Sequence, residues 1–189
     1  MKTSTRLALL GQLLFVAGIA LCTALLPHFA FERNEGGVSN YGVHAQTVVP
    51  FSIAFLGCGA CTVAAGLRFD ARKVRAARCV KPLLIFVGLM LITVALTTYP
   101  YKVSAFFDDV HEAVSSAYVL VELAIGFYFW RLARTRLATA FFGAQALGFV
   151  LAAATYFGAL HVLFIAEVLA GCAFGALLVD ALSALDVRR

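Results

Sequence analysis

LATAFFGAQALGFVLAAATYFGALHVLFIAEVLAGCAFGALLV, residues 137–179, is a run of 43 residues with a single charged side chain, Glu167. A helix rises about 1.5 Å per residue, so roughly 20 residues cross a hydrocarbon core about 30 Å thick. The run is long enough for two crossings, and Gly158-Ala159-Leu160-His161 supplies a tight turn between them. Two spans, 137–157 and 162–179, bring the chain back to the side of Arg131, Arg134 and Arg136. A single span would strand Arg188 and Arg189 on the opposite side from that cluster.

Outward from this run the same pattern recurs. Asp, Glu, Lys and Arg are absent from residues 7–31, 36–67, 82–101 and 113–121, which adds spans at 7–26, 48–67, 82–99 and 110–130. The expectation is an all-α polytopic membrane bundle of six transmembrane helices, one domain over 1–189, with a long loop at 27–47 and a basic loop at 68–81. Composition agrees: the chain is 62% apolar and 13% charged, with a mean hydropathy of +0.93. A soluble domain carries about 25% charged and 45–50% apolar residues. An ordinary soluble enzyme, a disordered chain and a nucleic-acid-binding domain are thereby excluded.

Lys and Arg of short loops stay on the cytoplasmic side. With both termini cytoplasmic, the inner segments hold Lys2, Arg6, Arg68, Arg72, Lys73, Arg75, Arg78, Lys81, Arg131, Arg134, Arg136, Arg188 and Arg189. Only Arg33 and Lys102 fall outside, so the expected location is the cell membrane. The basic pI needs no nucleic-acid partner, and the 68–81 loop serves to anchor the protein against anionic membrane lipids. The first span resembles a signal peptide, but its apolar stretch is too long and no Ala-x-Ala site closes it, so it is read as uncleaved.

Cys22, Cys58, Cys61, Cys79 and Cys172 are odd in number and none lies in an outer loop, which excludes an external disulfide framework. Cys58-Gly59-Ala60-Cys61 would suit a quinone-linked thiol oxidoreductase, yet the second, outer pair such enzymes use is missing. Small residues at helix contacts explain both it and Gly171-Cys172-Ala173-Phe174-Gly175.

All four histidines, His28, His44, His111 and His161, fall on the outer side with Glu32, Glu35, Asp108, Asp109 and Glu112. Zinc needs three or four such ligands converging at about 2.0–2.2 Å. No H-x-x-x-H or H-E-x-x-H pair is present, so no cofactor is expected. His44, His111, His161 and Asp108 remain the metal-ligand candidates if zinc binds.

In the fourth span His111, Ser115, Tyr118 and Glu122 are spaced 4, 3 and 4, which places them on one helix face. Such a stripe should face the bundle interior or a water-filled cleft. Glu122 lies about 16 Å below His111, where a charged carboxylate is costly and is a functional candidate by default. Matching depths along antiparallel helices makes Gln145 its expected neighbour, and sets Glu167 near the level of Thr93. Two readings stand: a neutral hydrogen-bond knot between helices, or a functional pocket.

Above the stripe, Glu35-Gly36-Gly37-Val38-Ser39-Asn40-Tyr41-Gly42 has small residues that permit positive φ. Ser39, Asn40, Tyr41 and Gly42 are expected to fold back over the bundle mouth as a lid. Six spans with both ends inside, Ser39-x-x-Gly42 before span two, and His111 opening span four resemble the DRAM-like six-helix membrane proteins. Bacterial six-span proteins of unknown function share that look. The resemblance implies roles in membrane homeostasis or lipid handling, and no settled reaction.

The leading reading is a non-enzymatic protein that binds a lipid, a small amphiphile or a membrane-protein partner through an outward-facing polar pocket. A membrane-embedded, metal-dependent lipid hydrolase at the outer face is the first alternative. A small proton-coupled carrier using Glu122 and Glu167 is the second.

Overall fold

The computed structural model describes residues 2–31, 37–70 and 78–187. Among the sequence features above, Glu32, Arg33, Glu35, Gly36, Arg72, Lys73, Arg75, Arg188 and Arg189 lie outside the described residues. The fold is all-α. Among the described residues, six helices are long and apolar enough to cross a membrane: α1 (Thr3–Leu25), α2 (Val48–Arg68), α3 (Val80–Thr98), α4 (Ala105–Ala133), α5 (Arg136–Tyr156) and α6 (Leu163–Val187). A short helix, Pro27–Phe31, and a 3-10 helix, Val38–Val43, lie between α1 and α2.

So apolar a chain must satisfy its backbone inside each helix. The 137–179 run divides in two: α5 ends at Tyr156, Gly158 turns the chain with φ +74°, and α6 begins at Leu163. Two helices outrun the apolar spans. α4 begins at Ala105, and its 29 residues extend about 43 Å. α6 continues past Val179 because its carboxylates find partners there and no Gly or Pro stops it. Asp180 accepts from the Thr135 hydroxyl, whose oxygen also caps α5 by accepting from Ala138 N–H at 2.8 Å. Asp186 accepts from the Lys2 backbone N–H at 2.9 Å and the Thr5 hydroxyl at 2.8 Å, which fastens α6 to the start of α1. These contacts mark the basic end of the bundle. His28, His44, His111 and His161 lie toward the other, histidine end.

The surface is apolar: Leu13 is 57% exposed, Leu120 60% and Val150 60%. Inside, Leu84, Phe129, Leu177 and Leu182 are completely buried. Where the polarity of inside and outside is this similar, helices associate through close packing of small residues. A Cβ on Gly59 would stand 2.7 Å from the Gly88 carbonyl, and one on Gly88 would stand 2.6 Å from the Gly59 carbonyl. The backbones of α2 and α3 therefore touch. Gly18 of α1 meets Pro50 and Ala54 of α2 in the same way, and Gly175 of α6 admits the Gln12 side chain. The Cys58–Cys61 segment sits at this crossing, and all five cysteines are free thiols. Just before it, Ile53–Gly57 is wound more widely, as a π-helical turn. Such turns recur at functional sites, and this one carries Phe55 toward the bundle interior.

Gly59→Val should destabilise the bundle by about 2–3 kcal/mol, because backbone cannot yield as a side chain can. Gly143→Ala meets nothing within 4 Å and should be neutral or stabilising by about 0.5–1 kcal/mol. Denaturant titration of the purified chain in mild detergent separates the two. Equal midpoints would remove the close crossing as a source of stability.

Candidate functional site

The α4 stripe faces inward. His111 and Glu122 are 4% and 5% exposed, and Ser115 and Tyr118 lie between them on the same face. Tyr118 stands one turn before Glu122 on the same face, and Glu122 Oε1 has no partner. Gln145 of α5 does stand beside Glu122, but its Nε2 donates to the Glu122 backbone carbonyl at 3.0 Å rather than to the carboxyl. Its own Oε1 is buried and unpartnered. Gly126, one turn beyond Glu122, makes room for it: a Cβ there would overlap the Gln145 amide.

At the histidine end, the 3-10 helix Val38–Val43 plugs the bundle, held by contacts from several helices and the α3–α4 turn. Gly37, at φ +63°, turns the chain so that Val38 N–H donates to Glu167 Oε2 of α6 at 2.6 Å. A Cβ on Gly37 would lie 2.7 Å from that same carboxylate, so only glycine meets both demands. Ser39 Oγ is 2.9 Å from His111 Nε2. Asn40 Oδ1 accepts from Lys102 Nζ at 2.8 Å. Tyr41 is fully buried, its ring edge-on to Phe29 and Phe164 and its hydroxyl 3.3 Å from Thr23 Oγ1. Gly42 lies where a Cβ would strike Thr98 and Phe51.

His111 is therefore held on both nitrogens. Nε2 takes Ser39 and, at 3.3 Å, Ser115; Nδ1 lies 3.2 Å from Thr97 Oγ1 of α3. Thr97 and Lys102 escape a reading of the sequence. Thr97 carries a faint signal, since the last turn of α3 must lie level with the first turn of α4. His44, by contrast, lies against Phe29, its rings 4.7 Å apart. Burial first and the Lys102 charge second hold its pKa below the ordinary imidazole value. The fold thus favours the neutral ring, and its support for the segment fades as pH falls below about 6.5.

Beneath this plug is a cavity of about 90 Å³, room for several waters at roughly 10–15 Å³ each. It draws on all six helices. Phe15, Phe55, Leu91, Val94 and Phe149 form apolar walls, Val38 and Ser39 the roof, and Glu122, Gln145 and Glu167 the polar part. The contacts lacing α4 to α5 lie level with Glu122 or nearer the basic end: Gln145 to Glu122, Trp130 stacked on Phe142 at 5.2 Å, and Trp130 Nε1 to Thr139 at 3.0 Å. Val119 and Leu123 of α4 and Ala152 of α5 also line the cavity.

Thr93 does not belong to this site. It is exposed, its hydroxyl bonded back to the Leu89 carbonyl at 3.0 Å. Depth matching fixes height along a helix and leaves the azimuth open, and α3 turns Leu91 and Val94 to the cavity instead. Nor are the metal candidates gathered. His44 lies on Phe29, His161 is exposed in the α5–α6 turn, Asp108 Oδ1 accepts from Lys102 N–H, and His111 is engaged with hydroxyls. Among the described residues no three His, Cys, Asp or Glu side chains stand where they could hold a metal ion.

Comparison with protein families, with curated proteins and with solved structures found no match for this chain.

Ser39→Ala removes one hydrogen bond to the plug, worth about 1 kcal/mol, and should speed amide exchange across 38–43 roughly fivefold. Gly37→Ala should do so more strongly, since it forces positive φ on a residue with a Cβ. Amide hydrogen exchange by mass spectrometry measures both. Unchanged exchange in both variants would show that these contacts do not hold the segment.

Proposed function

We propose that this protein is a cell-membrane protein that binds a lipid or small amphiphile in the cavity beneath the Val38–Val43 plug. The observation that carries the reading is the cavity itself: apolar walls from six helices around a small buried polar cluster, which is the usual composition of a ligand site. The plug closes the histidine end, so the entry route in this reading is from the bilayer side, between α4 and α5, whose Val119, Leu123 and Ala152 line the cavity. The distribution of basic residues supports a cytoplasmic basic end and an outward-facing histidine end. Ser39, Gly42 and His111, on which the likeness to DRAM-like proteins rests, all belong to the plug or its latch.

The reading is non-enzymatic. Ser39 and His111 are spaced like a nucleophile and its base, but Nδ1 of His111 is held by the Thr97 hydroxyl rather than by a carboxylate. A carboxylate in that place is what stabilises an imidazolium during acyl transfer. The pair serves better as a latch. A metal-dependent hydrolase has less support, because the candidate ligands are dispersed. A proton-coupled carrier keeps one observation in its favour, that Glu122 and Glu167 line the same cavity.

Native mass spectrometry of the full chain, extracted in mild detergent, tests the binding reading. The wild type should retain a lipid-sized adduct, and Ala152→Trp, which fills the cavity, should lose most of it while keeping its melting temperature. An adduct retained at the same level by the variant would place the lipid on the outer surface and overturn the proposal.

A further inference from the structure

At the end of the bundle opposite the plug, we infer that the cleft at the α4–α5 turn binds the phosphate of an anionic lipid head group. The cleft, about 370 Å³, is lined by Trp130, Arg131, Arg134, Thr135, Arg136 and Thr139. The backbone makes it. Arg134 takes a left-handed conformation, φ +55°, and its N–H donates to the Trp130 carbonyl at 3.2 Å, so α4 stops and α5 begins at Arg136. One arginine from each helix and one from the turn are thereby brought to a single opening. The walls are braced without them. Thr135 Oγ1 donates to Asp180 and accepts from Ala138 N–H at 2.8 Å. Thr139 Oγ1 donates to the Thr135 carbonyl at 3.2 Å and accepts from Trp130 Nε1 at 3.0 Å. Both threonine hydrogens are spent, so the guanidiniums supply the donors.

Those donors lack an acidic partner. No Asp or Glu is among the lining residues, and among the described residues none of the three arginines forms a salt bridge. Arg134 is engaged through Nε alone, with the Arg131 carbonyl at 3.3 Å, which leaves its terminal nitrogens uncommitted. Positive charges held around one opening repel one another, and an anion placed among them relieves that repulsion. Guanidiniums meet phosphate oxygens in a planar fork, and a doubly charged phosphate monoester offsets more of their charge than a diester does. Toward the bundle centre the surface turns apolar. Trp130 is stacked on Phe142 with centroids 5.2 Å apart, and the 50% exposed Phe127 packs against both rings. Tryptophan is a residue of the membrane interface, so the arginines stand at head-group level and Phe127 where an acyl chain begins. Basic pockets between spanning helices hold anionic head groups in this way. Free phosphate shares the head chemistry but would leave the aromatic surface unused.

Trp130 is the single tryptophan of the chain, so its fluorescence reads the cleft directly. The full chain is placed in phosphatidylcholine nanodiscs at pH 7 that carry a minor fraction of lipid with brominated, quenching tails. That lipid is either phosphatidic acid, a phosphate monoester, or phosphatidylcholine. Phosphatidic acid should quench Trp130 with an apparent affinity at least about tenfold above that of phosphatidylcholine. Arg131→Gln, Arg134→Gln and Arg136→Gln together should lower that preference by about tenfold. Arg68→Gln, Arg78→Gln and Lys81→Gln together remove the same charge from the 68–81 loop at the same end, and should leave the preference within roughly threefold. Equal quenching by the two lipids in the wild type would overturn the proposal. So would equal losses in the two triple variants, which would reduce the effect to diffuse basic charge. Inorganic phosphate added at constant ionic strength should leave the quenching unchanged; displacement of the lipid would make free phosphate the ligand and overturn the lipid assignment. The wild-type comparison decides even if a variant does not fold.

Discussion

A backbone amide and a carboxylate that would each be costly alone meet 2.6 Å apart where Val38 N–H reaches Glu167. Both sit at the end of an apolar bundle, and none of the side chains lining the cavity beside them carries a positive charge. Each satisfies the other, at the cost of one residue at φ +63°, which Gly37 alone can supply with the carboxylate so close. From that anchor the remaining contacts of the plug follow in sequence. Ser39 reaches α4, Asn40 reaches the α3–α4 turn, Tyr41 enters between α1 and α6, and Gly42 lies on α2 and α3. The plug thus ties α1, α2, α3, α4 and α6 together at that end.

The cavity beneath it follows from where the small residues are. Gly59 and Gly88 bring α2 and α3 into backbone contact, and Gly148 does the same for α5 on Ala166 and Ala170 of α6. α4 and α5 have one such meeting, Gly126 with Gln145. Toward the histidine end from there, Val119, Leu123 and Phe149 line the cavity. Dispersion contacts forgone along that seam are the structural cost of keeping a volume open.

Much of this was legible in the sequence, for identifiable reasons. Charge-free runs gave the six helices, and the glycine-containing turn divided the 137–179 run. The 4, 3, 4 spacing put His111, Ser115, Tyr118 and Glu122 on one inward face, since a rigid helix period makes azimuth within one helix a matter of counting. Between helices only depth can be counted. That sufficed for Gln145 and failed for Thr93, whose level is suitable and whose face is not. Helix ends were misplaced where charge was taken as a boundary: Asp180 and Asp186 are helical because Thr135, Lys2 and Thr5 receive them. Ser39 with His111, and Gly37 with Glu167, join residues far apart in the chain through a segment of irregular backbone. No periodicity announces such contacts.

The sequence left Glu122 either as part of a neutral knot between helices or as the floor of a pocket, and its surroundings have features of both: it lines the cavity and is joined to Gln145. A knot would spend the carboxyl on its neighbour, yet Gln145 donates past it to the backbone carbonyl. Two buried oxygens, one on each side chain, are left without a partner, and that of Gln145 is packed on Gly126. Unpaired buried acceptors cost about 1–3 kcal/mol each, a strain that a purely structural contact could have relieved by rotating one amide. That amide is instead held in place by Gly126 and the Glu122 carbonyl.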